Sequence, residues 1–248
     1  MSHYIVQVIT DDKKSIGELL APYDENLDVD PYRTSKISEK VEEIKARIPE
    51  IIKNLENDNK KDKIAEYTKA LEMSDENLIK FWYGEEILTD GEYVLSTYNP
   101  NSKWDWYCIG GRWDGCLRSK TGQETNELKV KDLDITREIN KDKMTEFWNE
   151  YVEGGMQDDE KYKDVWYKAE YYKSQYGTLE NYLYRESLET PYAVVTPDGV
   201  WHAPGEMGWF GCDSSDNESQ NKFLEWYVEY INNPKNAEYT ITAVDCHI

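Results

Sequence analysis

The sequence predicts an α+β fold in one domain covering residues 1–248, and three observations lead to that prediction. Both ends of the chain, residues 3–10 and 237–248, are rich in the β-branched and aromatic residues that are typical of strands. Two segments of the same character lie in the middle of the chain. Long segments between them, about 35–84 and 135–189, carry apolar side chains at helical spacing. We therefore expect an antiparallel sheet, with a ferredoxin-like arrangement as one candidate, whose first and last strands pair and which carries these two helical insertions.

The first part of the chain predicts one strand, an irregular segment and a long helix. HYIVQVIT at 3–10 ends in Asp-Asp and forms the first predicted strand. Residues 16–33 contain two prolines and predict irregular structure. From Ser35 onward the apolar residues recur at helical spacing, and Pro49 is expected to kink or split the resulting helix.

The segments that follow predict helix, then strand, then a hairpin. SDENLIKFWYG at 74–84 has the character of a short helix that begins at Ser74 and ends at Gly84, since serine is a preferred N-cap and glycine a preferred C-cap. EYVLSTYN at 92–99 predicts a strand. WDWYCI and RWDGCLRS flank Gly110-Gly111, which predicts a hairpin with the two glycines at its turn.

The last part of the chain contains its clearest turn. PYAVVTPDGVWHA at 191–203 predicts a hairpin around Pro197-Asp198-Gly199, because each of these residue types favours a tight turn. Residues 217–233 predict an amphipathic helix. The many aromatic side chains at helical spacing in 135–189 are interpreted as packing between helices.

Charge and composition exclude some classes of function. The net charge of −21 repels nucleic-acid phosphates and anionic head groups, so no direct binding of nucleic acid or membrane is expected. No run of roughly 18 apolar residues is present, and MSHYIVQVITDD lacks the features of a signal peptide, so the cytoplasm is the expected compartment. The four cysteines form no CxxC pair and predict reduced thiols. The charge either keeps the protein in solution or faces a basic partner surface, and composition leaves both interpretations open.

The first candidate binding segment is residues 101–121, which carries two net positive charges within this acidic chain. Its arginines can contact phosphate or carboxylate with two hydrogen bonds, and its tryptophans can stack on a planar ring. The alternative is that the tryptophans only fill the core and the glycines only turn the chain, and this packing role is favoured for Trp106 and Trp113. The spacing matches neither a Walker loop nor a dinucleotide fingerprint. The candidate binding residues of this segment are Lys103, Trp104, Trp106, Gly110, Gly111, Arg112 and Trp113.

Two further candidates lie towards the end of the chain. In the glycine-rich loop WHAPGEMGWFG the candidates are His202, Glu206 and Trp209, although a purely structural loop is the competing interpretation. In the last strand, alternation places Asp245 and His247 on one face, with Cys246 on the other. If the first and last strands pair, the histidine at position 3 comes close to His247.

These residues do not have the spacing of a known metal or catalytic motif. The chain has three histidines and contains neither HExxH nor HxH, so no metal and no cofactor are predicted. His202 with Glu206 is the best general acid–base pair that the sequence offers. A dyad of Cys246 and His247 is disfavoured because adjacent strand residues point to opposite faces.

Several stretches together resemble a group of uncharacterised proteins encoded by bacteriophages and prophages. They are YIVQVITDD, LAPYDENLDVDPY, STYNPNSKWDWYCIGGRWDG, PYAVVTPDGVWHAPGEMGWFG and the final VDCHI, and they occur in matching order over nearly the whole chain. The resemblance implies a viral accessory protein with a ferredoxin-like core, acting in the host cytoplasm. It implies no activity and no catalytic residue.

Three functions are compatible with these observations. The leading hypothesis is an anti-defence inhibitor that binds a host defence protein through acidic surfaces. The alternative is a protein that binds and sequesters a nucleotide-like molecule in a pocket formed by the three candidate segments. The third is a hydrolase-type enzyme that uses His202, Glu206 and Asp245, and it requires that these groups reach one substrate. If the three segments converge on one concave surface, ligand binding becomes the leading hypothesis, and if they are buried apart, they only shape the fold.

Overall fold

The computed structural model describes residues 2–248, apart from the side chain of Trp209. The chain is mixed α and β, and its main sheet is mostly antiparallel. The helices in the described chain are α1 (Ile16–Leu20), α2 (Ile37–Asn57), α3 (Lys61–Ala70), α4 (Asp75–Tyr83), α5 (Lys141–Phe147), α6 (Ala169–Tyr176), α7 (Leu179–Glu186) and α8 (Asn217–Asn232). The strands are β1 (His3–Thr10), β2 (Tyr32–Lys36), β3 (Tyr93–Ser96), β4 (Trp106–Ile109), β5 (Leu117–Arg118), β6 (Glu124–Thr125), β7 (Glu127–Lys129), β8 (Ala193–Val195), β9 (Trp201–His202) and β10 (Thr240–His247).

The described residues divide into two compact units. The first comprises residues 2–27 and 100–248, and the second comprises residues 28–99. Each has its own group of buried apolar side chains. The first predicted helical insertion, about 35–84, therefore lies within the second unit. The single-domain organisation of residues 1–248 stays a prediction.

The second unit is built on α2, which runs unbroken through Pro49. The expected split of this helix is therefore wrong, whereas the expected kink stays a prediction. Pro49 lies on the exposed side, so the helix loses one backbone hydrogen bond there while Ile44 and Ile48 remain fully buried against α4. The prediction for α4 is confirmed, since the Ser74 side chain accepts a hydrogen bond from Asn77 N and Gly84 ends the helix with a φ of 101°.

The first unit is built on a sheet with strand order β4-β10-β1-β8-β9, and β7 pairs with the other end of β10 beyond β4. The first and last strands pair as predicted, antiparallel along their whole length, from His3 opposite His247 to Thr10 opposite Thr240. The predicted hairpin at 191–203 is confirmed by the antiparallel β8–β9 pair. The β1–β8 pair is parallel, so the sheet is not purely antiparallel.

Alternation along β1 separates two cores. Tyr4, Val6 and Val8 pack on the face covered by α1, whereas Ile9 packs on the face covered by α8. The helix α1 itself contradicts the irregular structure predicted for residues 16–33. Ser15 caps it by accepting from Glu18 N, and the Glu18 side chain accepts in return from Ser15 N, which is a local pattern that the two nearby prolines obscured.

The hairpin predicted around Gly110-Gly111 is wrong. β4 pairs with β10 and not with the segment that follows it, while β5 pairs with β6. The two glycines have φ values of 71° and 58° and begin a single tight turn that brings the chain back over β10. Many aromatic side chains of 135–189 pack around the buried Trp148 and Tyr151, as predicted, whereas Trp166 is exposed. Among the described residues, none of the helices combines the length and apolar character that a bilayer crossing requires.

Candidate functional site

Two histidines and two aspartates meet at one end of the sheet, where β1, β10 and β4 lie side by side. Trp106, His247 and His3 are cross-strand neighbours in one row, and the row beneath it contains Cys108, Asp245 and Ile5. All six side chains lie on the same face because residues at even spacing along a strand share a face. We call His3, His247, Asp105 and Asp245 the histidine-pair site.

Each imidazole in this site is held by its own carboxylate. His3 Nδ1 lies 2.9 Å from Asp245 Oδ1, and His247 Nδ1 lies 2.6 Å from Asp105 Oδ1. The centres of the two rings are 4.8 Å apart in an edge-to-face contact. Asp245 is only 2% exposed, whereas Asp105 is 38% exposed, so the two carboxylates lie in very different surroundings.

The loop that follows β4 contacts the buried carboxylate of Asp245 through its backbone. Asp245 Oδ2 accepts a hydrogen bond of 3.0 Å from Arg112 N, in addition to the contact of its other oxygen with His3. A Cβ added at Gly111 would lie 2.5 Å from Asp245 Oδ2 and 2.7 Å from Cys108 Sγ, so only glycine fits over the carboxylate. The two glycines of this turn therefore allow the backbone to lie close to Asp245.

The second ring nitrogen, Nε2, of each histidine has no hydrogen-bond partner among the described residues, and we call such an atom open. Within the described residues, no hydrogen bond involves Nε2 of His3 or of His247. Neither nitrogen is among the buried side-chain atoms that lack a partner, so solvent reaches both of them. Both imidazoles are thus fixed at Nδ1 and available at Nε2, which is the arrangement that proton transfer or ligand binding through Nε2 requires.

An exposed aromatic ring lies beside the pair, and Arg112 follows in the turn whose backbone contacts Asp245. The Trp106 side chain is 51% exposed, and its ring centre lies 6.1 Å from that of His3. The packing role favoured for Trp106 is therefore wrong, although Trp104, at 7% exposed, has that role and donates from Nε1 to Leu20 O. The guanidinium of Arg112 is exposed and forms no ion pair within the described part of the chain.

The three predicted segments reach this end of the sheet, but loop 201–211 lies on the other face from the histidine pair, since Met207 packs with Tyr4 and Cys246. The Ser2 hydroxyl, next to His3, donates to Gly208 O at 2.9 Å and accepts from Gly211 N at 2.7 Å. Ser2 N also donates to the carbonyl of Ile248 at the end of the last strand. Loop 201–211 is thereby tied to the strand that carries the histidine pair. The side chain of Trp209, a predicted binding residue, lies outside the described structure.

The convergence is incomplete for the other residues predicted from the sequence. Lys103 Nζ and Glu206 Oε1 form an ion pair of 2.9 Å beside Tyr23 and Trp201, which pack on the opposite face of the sheet. The hydrogen bond from Lys103 lowers the pKa of Glu206. Glu206 is 79% exposed, so this ion pair contributes little to stability.

His202 is not part of the site. It lies three strands away from Asp245, which corresponds to about 14 Å at the usual spacing between strands. Its ring stacks on Trp226 with 4.0 Å between centres, and burial lowers the pKa of this histidine. Neither a hydrogen bond nor an ion pair joins His202 to Glu206 in the described chain. The structure therefore does not bring His202, Glu206 and Asp245 to one substrate.

A cleft of about 580 Å³ continues along the same face of β1. Its floor includes Ile5 and Gln7, the next residues after His3 on that face, and its wall includes Trp113. Three of the six arginines in the chain line it, although glutamates also contribute to its walls. These arginines are Arg118, Arg137 and Arg185.

Two residues of the site could not be selected from the sequence. His3 was expected near His247 but was not among the candidate binding residues, and Asp105 had no signal at all beyond its place between two tryptophans. Cys246, directly beside the pair in sequence, points into the opposite core, where burial raises the pKa of its thiol. Within the described structure, no group of three His, Cys, Asp or Glu side chains is arranged to hold a metal ion.

Comparison with known proteins adds no identification. No protein-family model, no curated protein and no solved structure matches this chain.

Proposed function

We propose that this protein binds a small anionic, nucleotide-like molecule at the histidine-pair site. The observation that supports it most is the pair of open Nε2 atoms beside an exposed tryptophan and an arginine without an ion-pair partner in the described structure. Trp106 offers a face on which a planar base can stack. Arg112 offers two parallel hydrogen bonds to a phosphate.

An anionic ligand approaches a chain of net charge −21 against its field, so the binding site needs a cation of its own. Arg112 is the residue proposed for this role. The neighbouring cleft adds no excess of positive charge, because Glu124, Glu186 and Glu189 line it together with its three arginines, and Arg118 and Arg137 pair with Asp134 and Glu186. A volume of about 580 Å³ is within the usual range for small-molecule sites, so the cleft can receive the remainder of a ligand held at the pair.

Titration calorimetry with a panel of mononucleotides and cyclic dinucleotides tests the proposal. We expect one ligand class to bind to the wild type, and Trp106→Ala and Arg112→Ala each to weaken the affinity about 10-fold or more, since stacking or a charge-assisted contact is worth about 1–3 kcal/mol. Trp166→Ala and Arg47→Ala are matched controls, because both residues are exposed and lie outside the site. Absence of binding for the whole panel, or equal effects of site and control variants, refutes the proposal.

A second candidate is the anti-defence inhibitor that binds a host protein. It is favoured by Trp166, which is 89% exposed and lies next to the stacked pair Tyr167–Tyr171, because exposed aromatic side chains often anchor protein contacts. Measuring the binding to host proteins at increasing salt separates the contribution of the acidic surfaces from that of Trp166. Acidic surfaces predict a complex that weakens with salt. A complex that is lost in Trp166→Ala but is insensitive to salt indicates an aromatic anchor instead.

We also propose, from the resemblance to bacteriophage proteins, that the protein acts in the host cytoplasm. The ferredoxin-like description of the sheet is also a proposal. It is supported by the order of β1, a helical insertion, the β8–β9 hairpin, α8 and β10. The parallel β1–β8 pair is the feature that such a description must accommodate.

A further inference from the structure

The histidine-pair site has more structure than binding alone requires. A ring that only contacts a ligand can be positioned by packing, yet here each Nδ1 is fixed by a separate carboxylate. Such a carboxylate sets the tautomer and the orientation of an imidazole. The two fixed rings are 4.8 Å apart between centres, so one small substrate can touch both Nε2 atoms.

We propose that His3 and His247 are an acid–base pair that hydrolyses a phosphodiester bond in the bound molecule. This inference rests on the proposed function, because the substrate is the ligand held by Trp106 and Arg112. A phosphodiester is the fitting class since its alcohol leaving group needs a proton, which a second imidazole can supply.

The reaction balances with water as the second reactant. The neutral imidazole takes a proton from water at Nε2 while the water oxygen forms a new bond to phosphorus. The bond between phosphorus and the ester oxygen breaks, and that oxygen takes a proton from Nε2 of the protonated imidazole. The products are a phosphomonoester and an alcohol, and the two rings have exchanged protonation states, which exchange with solvent restores. No electrons are gained or lost.

The remaining groups have supporting roles. Asp245 and Asp105 are positioning residues, since each contacts a histidine and not the substrate. Arg112 is assigned the role of neutralising charge on the phosphate, since its backbone N–H bonds to Asp245 and so holds this residue beside the site. The loop that holds the cation and the carboxylate that holds His3 are therefore joined by one hydrogen bond.

The competing explanation is that the two His–Asp contacts only tie strand ends together. Asparagine separates these explanations because its amide can replace the Nδ1 donor of histidine but has no counterpart of Nε2. His3→Asn and His247→Asn therefore keep the structural contact and remove the proton-transfer atom. His202→Asn is the matched control, since it changes the third histidine of the chain away from the site.

The experiment measures binding and turnover separately on the full chain, with cyclic mononucleotides and cyclic dinucleotides as probes. Calorimetry gives the dissociation constant, and chromatography of the products gives the rate. We expect His3→Asn and His247→Asn to lose about 100-fold or more in rate, the usual contribution of one acid or base. Their affinity should fall by no more than about 10-fold, because each variant removes one ligand contact at Nε2 while Trp106 and Arg112 remain. His202→Asn should match the wild type in both measurements.

Each other outcome overturns the inference in a recognisable way. Binding without turnover by the wild type refutes the acid–base role and leaves the proposed function intact, whereas no binding by any probe refutes both. Undiminished turnover in either asparagine variant at the site shows that the contacts are only structural.

A second series identifies the acid. Nitrophenyl phosphodiesters have a leaving group that departs without a proton, so the variant that lacks the acid should recover most of its rate with them, whereas the variant that lacks the base should not. Equal loss in both variants with both substrate types contradicts the division of roles.

Discussion

The closest approach of backbone to the site, at Gly111, gives a prediction whose magnitude follows from the structure. In Gly111→Ala the new Cβ would lie 2.5 Å from Asp245 Oδ2 and 2.6 Å from Asp245 Cβ. The residue also has a φ of 58°, which costs a non-glycine residue about 1–2 kcal/mol. Because Asp245 is buried, it must move and lose at least one hydrogen bond to a charged group, which costs about 1.5–3 kcal/mol.

The two costs together predict that Gly111→Ala lowers the free energy of unfolding by about 2.5–5 kcal/mol. Urea unfolding followed by tryptophan fluorescence measures this quantity. Gly122→Ala is the control, because Gly122 has a φ of 82° but nothing within 4 Å of an added Cβ, so that variant carries only the backbone cost. Equal losses in the two variants would falsify the idea that Gly111 is required for its approach to Asp245.

Three further predictions concern stability. Pro49→Ala should raise the free energy of unfolding, measured in urea, by about 2 kcal/mol. The substitution restores a backbone hydrogen bond in α2, and this gain exceeds the loss from a more flexible unfolded chain. A decrease in the free energy of unfolding would contradict this account. Tyr227→Phe should lower it by about 1–2 kcal/mol, since the buried hydroxyl donates to Gln7 Oε1 at 2.8 Å, and no loss would mean that the bond is not formed. Burial raises the pKa of Tyr182 from 10 to about 12 and also raises that of Tyr176, so folding favours the neutral phenols. The stability that these neutral phenols contribute is complete below pH 10 and is lost as the pH rises through about 12. In an alkaline titration, phenolate absorbance should therefore appear together with unfolding. Phenolate absorbance that appears while the protein is still folded would refute this prediction.

Local patterns in the sequence predict much of this fold, because they reflect local physics. The β-branched and aromatic residues of 3–10 and 237–248 reflect the burial of both faces of β1 and β10. The geometric alternation of side chains along a strand placed Asp245 and His247 on one face correctly. The turn at Pro197-Asp198-Gly199 was likewise predicted from its residue types. Such features need no knowledge of distant partners.

The parts that the sequence did not predict depend on distant pairing. Nothing near Trp106 indicates that β4 pairs with β10, which lies more than 130 residues later. The local pattern around Gly110-Gly111 therefore predicts a hairpin that the structure does not have. The same non-local pairing creates the contact between Asp105 and His247. Conversely, His202 and Glu206 are close in sequence, but a strand end and a loop carry their side chains to different faces of the sheet.

The pairing of β1 with β10 has a consequence for how the chain folds during synthesis. Residues 28–99 form a unit whose contacts are local, so they can fold while the ribosome is still translating. The strand at 3–10, in contrast, waits for residues 240–247 before it gains its antiparallel neighbour, and this long separation in sequence makes closure of the sheet a slow step. Because His3 and His247 meet only at that closure, a nascent chain has no histidine pair, and the site arises together with the last strand of the fold.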